Sequence, residues 1–123
     1  MKLKDKVAVI TGAGRGIGRA IAREFAREGA RTLIAEQDES TGPAVAEEIT
    51  AGGGEARFQR CDVTREEDVA AAIEAASEAF GRIDLMVNNA GVSQRDWETT
   101  IAVNLSGVYH GCRLAAERMA AQG

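Results

Sequence analysis

The sequence is short of rings, kinks and sulfur. Among its 123 residues there are three Phe, one Tyr, one Trp and a single Pro. So few aromatic side chains exclude a core built on bulky rings, and they suit helices lying close on a sheet. The two cysteines, Cys61 and Cys112, are far apart and fit no metal-ligand spacing. Both read as reduced thiols, and no metal site is expected. The one histidine, His110, has no Ser or Cys nucleophile pattern beside it and reads as a surface residue. Positive charge is in deficit: 15 Lys and Arg stand against 19 Asp and Glu, a net charge of −4. That is the reverse of a nucleic-acid footprint. No apolar run approaches the ~18 residues a membrane helix needs. The opening Met1 to Lys6 is too polar and too short for a secretory signal. The expectation is a soluble cytoplasmic protein that binds neither nucleic acid nor membrane.

What is present is an alternation. Hydrophobic residues make up 45% of the chain, enough for one core in one domain over residues 1–123. Val7 to Ile10 is a continuous apolar run, as expected of a central parallel strand buried on both faces. Glycines follow, then a helix from about Gly16 to Glu28, with Ile17, Ala20, Ile21 and Phe25 at helical spacing and Gly29 at its stop. Thr32 to Ala35 is a second strand and Thr41 to Ala51 a second helix, with Pro43 tolerated in its first turn. Ala56 to Arg60 is a weaker third strand. Thr64-Arg65-Glu66-Glu67 matches a capping box, and the stripe Val69, Ala72, Ile73, Ala76 and Phe80 makes the third helix. Leu85 to Val87 is the fourth strand, and a last helix runs from about Trp97 to Ala121. The order β-α-β-α-β-α-β-α implies an α/β fold: a Rossmann-like parallel sheet of order 3-2-1-4 with helices on both faces, part of a doubly wound fold.

The chemistry concentrates at Thr11-Gly12-Ala13-Gly14-Arg15-Gly16-Ile17-Gly18, between the first strand and first helix. Glycine permits the tight turn and lets backbone approach a pyrophosphate. A helix N-terminus offers that anion free amides and a partial positive charge. The alternative is a turn that only packs the helix closely on the sheet. A strict G-x-G-x-x-G does not fit, because Ile17 occupies its last glycine position. The pattern is Thr-Gly-x-x-x-Gly-x-Gly on Gly12, Gly16 and Gly18.

This pattern resembles the cofactor loop of the short-chain dehydrogenase/reductase family. Three further segments are similar to that family in order and spacing. Asp62-Val63 looks like its adenine-contacting pair, although a lone Asp62 is more often a turn or cap residue. Asn88-Asn89-Ala90-Gly91 looks like its Asn-Asn-Ala-Gly signature, which supports the central sheet and borders the nicotinamide ribose. Val103-Asn104-Leu105-Ser106-Gly107 resembles the segment carrying its active-site asparagine. The resemblance spans Lys4 to about Met119. It implies a nicotinamide cofactor held by Gly12, Arg15, Gly16, Ile17, Gly18, Glu36, Asp62, Val63, Asn89, Ala90 and Gly91, with Asn104 in the proton relay. It also implies hydride transfer between that cofactor and an alcohol or ketone.

Two departures stand out. The stretch from Gly91 to Asn104 is shorter than the family usually has. No Tyr-x-x-x-Lys occurs among residues 1–123: the only tyrosine, Tyr109, is followed four residues on by Arg113. An Arg is no equivalent of a tuned lysine. The chain is therefore expected to be truncated, the cofactor-binding portion without the family's C-terminal catalytic part, and inactive alone. Two other readings remain: a nucleotide-binding module without catalysis, and an assembly element using the stripe Ile101, Leu105, Val108, Cys112, Ala115 and Met119. Two expectations follow. NAD is preferred over NADP, because Glu36 ends the second strand 18 residues beyond Gly18, where an acid takes the ribose hydroxyls. The chain also forms homo-oligomers, because the fourth strand leaves an open edge.

Overall fold

A computed structural model describes all residues from Met1 to Gly123. Four parallel strands form its sheet: β1 (Val7–Thr11), β2 (Arg31–Glu36), β3 (Glu55–Arg60) and β4 (Leu85–Val87), in the order β3-β2-β1-β4. The expected strand order is the observed one. β1 is buried throughout, as its apolar run requires.

Alternation along the strands feeds two cores. Val7, Val9, Leu33 and Ala35 face one side, and Ala8, Ile10, Ile34 and Ala56 the other. The register Val9 beside Leu33 and Ile10 beside Ile34 keeps each set in line across the sheet. Helices α1 (Gly16–Arg27) and α2 (Thr41–Ala51) cover the second side through Ala22, Val45, Ala46 and Ile49. Helix α3 (Glu66–Phe80) covers the first through Val69, Ala72, Ile73 and Ala76. Fully burying a Val or Ile among them contributes about 1.5–3 kcal/mol, and the alanines between them let the helices lie close on the sheet.

Two local expectations are overturned. The capping box at Thr64 does not form. The Thr64 hydroxyl instead donates to Asp62 Oδ1 at 2.7 Å, and Arg65 stands at the helix cap with no side-chain bond. Asp62 Oδ1 accepts from the Thr64 amide as well, an Asx-type turn that holds Thr64 outside the helix. The cluster Glu66, Glu67 and Asp68 in the first turn meets the positive end of the helix dipole instead.

The last helix is also not one regular element. It comprises α4 (Trp97–Ile101), a π-helical turn at Ala102–Ser106, and α5 (Gly107–Gln122). The face laid on the core is Val103, Gly107, Gly111, Leu114, Ala115 and Met119. Leu105 is 62% exposed and Cys112 is exposed, so the stripe read from the sequence does not lie on one surface. Gly107 and Gly111 let α5 lie against Val63, Asn88 and Met86, where any added methyl would collide. Arg113 pairs with Glu66 and Glu117, and Arg118 with Glu74, tying α5 to α3. His110 is half-buried rather than a free surface residue, with Nδ1 at 3.1 Å from the Val63 carbonyl.

Candidate cofactor site

The sheet order changes direction between β1 and β4. The chain leaves β1 toward one face and β4 toward the other, and their C-terminal ends part to leave a crevice. A cleft of about 360 Å³ opens there. It gathers Gly12, Arg15, Gly16, Ile17, Glu36, Asp62, Val63, Asn89, Ala90 and Gly91 from four separate segments of the sequence. Two of the residues picked from the sequence lie outside its lining: Gly18 and Asn104.

Gly18 sits beneath the loop. A methyl there would fall inside contact distance of the Gly12 carbonyl oxygen and 2.8 Å from its carbon. Its smallness brings the helix start under the loop, and it touches the cleft only through that. Gly12 and Gly16 have φ of 63° and 55°, and Gly16 has nothing near the space a Cβ would take. The first bond entering α1 runs from the Arg19 amide to the Arg15 carbonyl at 3.2 Å. The amides of Gly16, Ile17 and Gly18 precede it and have no protein acceptor, as at any helix N-terminus. A free backbone surface and unpartnered donors beside it fit a pyrophosphate.

The far wall is held by Thr11, whose importance the sequence motif did not reveal. Its hydroxyl, 2% exposed, accepts from the amides of Asn89 and Ala90, both at 3.0 Å. Asn89 returns two bonds, from Nδ2 to the carbonyls of Thr11 and Gly12 at 3.1 and 3.2 Å. The ends of β1 and β4 are thus locked, and the glycine loop is held from below. Asn104 lies in the π turn. Its Oδ1 accepts from the Val92 amide and its Nδ2 donates to the Val92 carbonyl, each at 2.8 Å. It braces a residue of the cleft wall from behind.

Glu36 does more than end β2. Its Oε1 accepts from the Gly14 amide at 2.9 Å and its Oε2 from the Asp38 amide at 3.1 Å. The carboxylate is fixed against the loop, and Gly14 is packed so closely that a Cβ would lie 2.7 Å from Oε1. Asp38 next to it is held below the usual carboxylate range by the Ser40 hydroxyl, then by the amides of Ser40 and Thr41. Asp62 spends Oδ1 on the Thr64 amide and hydroxyl. Cys61 lines the same cleft but is inert: burial first, then the charges of Asp68 and Asp62, pushes its thiol up to about 12. Tyr109 is 63% exposed on the helix and does not line the cleft. No group of His, Cys, Asp and Glu could hold a metal ion, and no helix is long and apolar enough to cross a membrane.

The model of the family described as short chain dehydrogenase matches residues 6–123, and the chain belongs to that family. It is 42% identical to momilactone A synthase of Oryza sativa, covering 97% of this chain and 47% of that protein. It is 38% identical to D-threitol dehydrogenase of Mycolicibacterium smegmatis, over 99% of this chain and 50% of the relative. Among solved structures, a short-chain dehydrogenase/reductase from Burkholderia phymatum in complex with NAD matches with a TM-score of 0.93 and 40% identity. That match covers 99% of this chain and 47% of the other. The chain therefore spans about half the length of the curated relatives it matches. The alignments run over 130 and 131 positions, more than the 123 residues available, so these relatives carry residues with no counterpart here.

Proposed function

We propose that this chain is the cofactor-binding portion of an NAD-dependent oxidoreductase that moves hydride between the nicotinamide and an alcohol or ketone. The observation that carries the reading is the Gly12–Gly18 turn, whose unpartnered amides face a cleft bounded by Glu36, Asp62 and Asn89. Bound NAD(H) would supply the hydride. The loop amides would hold its pyrophosphate, Glu36 the adenosine ribose, Asp62-Val63 the adenine, and Asn89-Ala90-Gly91 the nicotinamide ribose side. Asn104 would belong to the proton relay, positioned by its two bonds to Val92. The substrate is a small alcohol or ketone, and the compartment is the cytoplasm, in keeping with two free cysteines. Titration followed by NADH fluorescence tests the reading, and absence of any saturable enhancement at millimolar NADH would refute it.

NAD is the preferred cofactor. A 2′-phosphate would sit beside the Glu36 carboxylate, which the Gly14 and Asp38 amides keep in place. Two unit charges 4 Å apart repel by about 4 kcal/mol at an effective dielectric near 20, and solvent reduces this. Arg15 lines the same cleft and acts in the opposite sense, and the fixed carboxylate outweighs it. Calorimetry should give tighter binding of NADH than of NADPH, and the reverse order would overturn the preference.

The chain also self-associates. β4 pairs only with β1, so its other edge offers unpaired backbone groups, and Leu105 and Tyr109 stand exposed nearby in sequence on the long helix. Light scattering at tens of micromolar should report dimers or larger species. A clean monomer would count against this.

A second reading, a nucleotide-binding module without catalysis, draws on one feature. Tyr109 is exposed, and Arg113 four residues on is tied to Glu66 and Glu117. Turnover measurement separates the two.

A further inference from the structure

Past Gln37 and Asp62 the cleft continues into a second hollow, whose outer wall is the short turn from Val92 to Asp96. No residue of the Gly12–Ile17 loop lines this hollow, so it lies at the end away from the pyrophosphate amides. One cation lines it, Arg95. Its carbonyl accepts from Thr100 Oγ1 at 3.4 Å, while its guanidinium has neither an acid within salt-bridge reach nor a hydrogen-bond partner.

The backbone beneath that free charge is braced. Asn104 holds Val92 at both its amide and its carbonyl. Gln94 adopts φ of 58°, unusual for a residue other than glycine. Asp96 caps the next helix by accepting from the Thr99 amide at 3.0 Å. An unpaired guanidinium on a fixed turn, bordering the residues assigned to the base, is placed to serve the base.

The geometry points to Arg95 as the residue that covers the face of the cofactor's adenine ring, with Asp62 and Gln37 at the ring's edge. This rests on the cofactor reading above. A guanidinium is planar and delocalised and lies well on an aromatic face, where a compact ammonium does not stack. A phosphate is the poorer occupant. Asp62, Asp96 and Glu98 line the same hollow, and three carboxylates against one Arg would repel an anion while leaving a neutral base unaffected.

The test compares the unmodified chain with Arg95→Ala and Arg95→Lys in titrations with NADH, ADP-ribose, reduced nicotinamide mononucleotide and NADPH. If the unmodified chain binds no NADH, the cofactor reading itself has failed. If it binds, Arg95→Ala should weaken NADH and ADP-ribose about fivefold, the range of a part-exposed cation on a ring face. Arg95→Lys should not restore them, and the mononucleotide, which has no adenine, should be unaffected. Equal NADH binding by parent and Arg95→Ala would overturn the assignment. So would a loss confined to NADPH, which marks a phosphate contact, or an equal loss of the mononucleotide, which marks collapse of the turn.

Discussion

The 123-residue chain should bind NADH and yet oxidise it no faster than buffer does in the presence of ketones. A positioned acid/base contributes about 10²–10⁴-fold, and correct orientation of the substrate contributes more. No tyrosine, lysine or histidine lines this cleft. The only tyrosine lies outside it, and Arg113, four residues on, is held by Glu66 of α3 and Glu117 of its own helix. The residues proposed to bind the cofactor, the glycine loop, Glu36, Asp62 and Asn89, do line one space. A fluorescence titration followed by NADH absorbance with a panel of ketones reads both halves of the expectation. Steady oxidation abolished by Tyr109→Phe would show that Tyr109 works as an acid/base after all, and the chain would then be an enzyme in its own right.

Gly18→Ala should cost at least about a hundredfold in NADH affinity and destabilise the fold by about 1–3 kcal/mol, the ordinary range for overpacking. The new methyl would meet the Gly12 carbonyl and the Asn89 amide group, both part of the lock between β1 and β4. The first is backbone, and the second ends a side chain that two hydrogen bonds hold in place. The loop must rise, and the amides of Gly16 and Ile17 leave their places with it. Thermal unfolding by circular dichroism measures the stability change, and titration at a temperature where the variant is folded isolates the binding change. A variant that binds NADH as tightly as the parent would show that Gly18 is not what sets the loop's height.

Much of this was legible in the chain. Val7 to Ile10 declares a strand buried on both faces, because nothing polar interrupts it. The glycine turn declares its use, because few other needs place three glycines between a strand and a helix. Long-range polar bonds are what sequence reading misses. Glu36 could be placed at the end of β2, but its bond to Gly14 joins residues 22 apart and depends on how the loop folds back. Thr11 looks like an ordinary motif residue until Asn89 and Ala90 are seen donating to it. The capping box at Thr64 failed because Asp62 Oδ1 takes both the Thr64 amide and its hydroxyl and the helix starts one residue later, with Arg65 at the cap. Asp62 was picked from the sequence and lines the cleft, whereas Gly18 lies outside its lining and leaves empty the space beneath the Gly12 carbonyl.

The π turn carries a consequence for how the long helix is numbered. An α-helix advances each residue by about 100° around its axis. One extra residue between Ala102 and Ser106 resets that count, so positions before and after the turn run on two clocks. A single apolar stripe drawn from Ile101 to Met119 crosses from one clock to the other, and its members separate: Leu105 to solvent, Ala115 to the core. The turn lets the chain carry that extra residue without disturbing the seat of α5. Were Ala102–Ser106 to coil as a regular α-helix with no residue lost, α5 would turn by about 100°, carrying Gly107 and Gly111 off Val63 and Asn88 and bringing bulkier neighbours onto a surface that accepts only hydrogen.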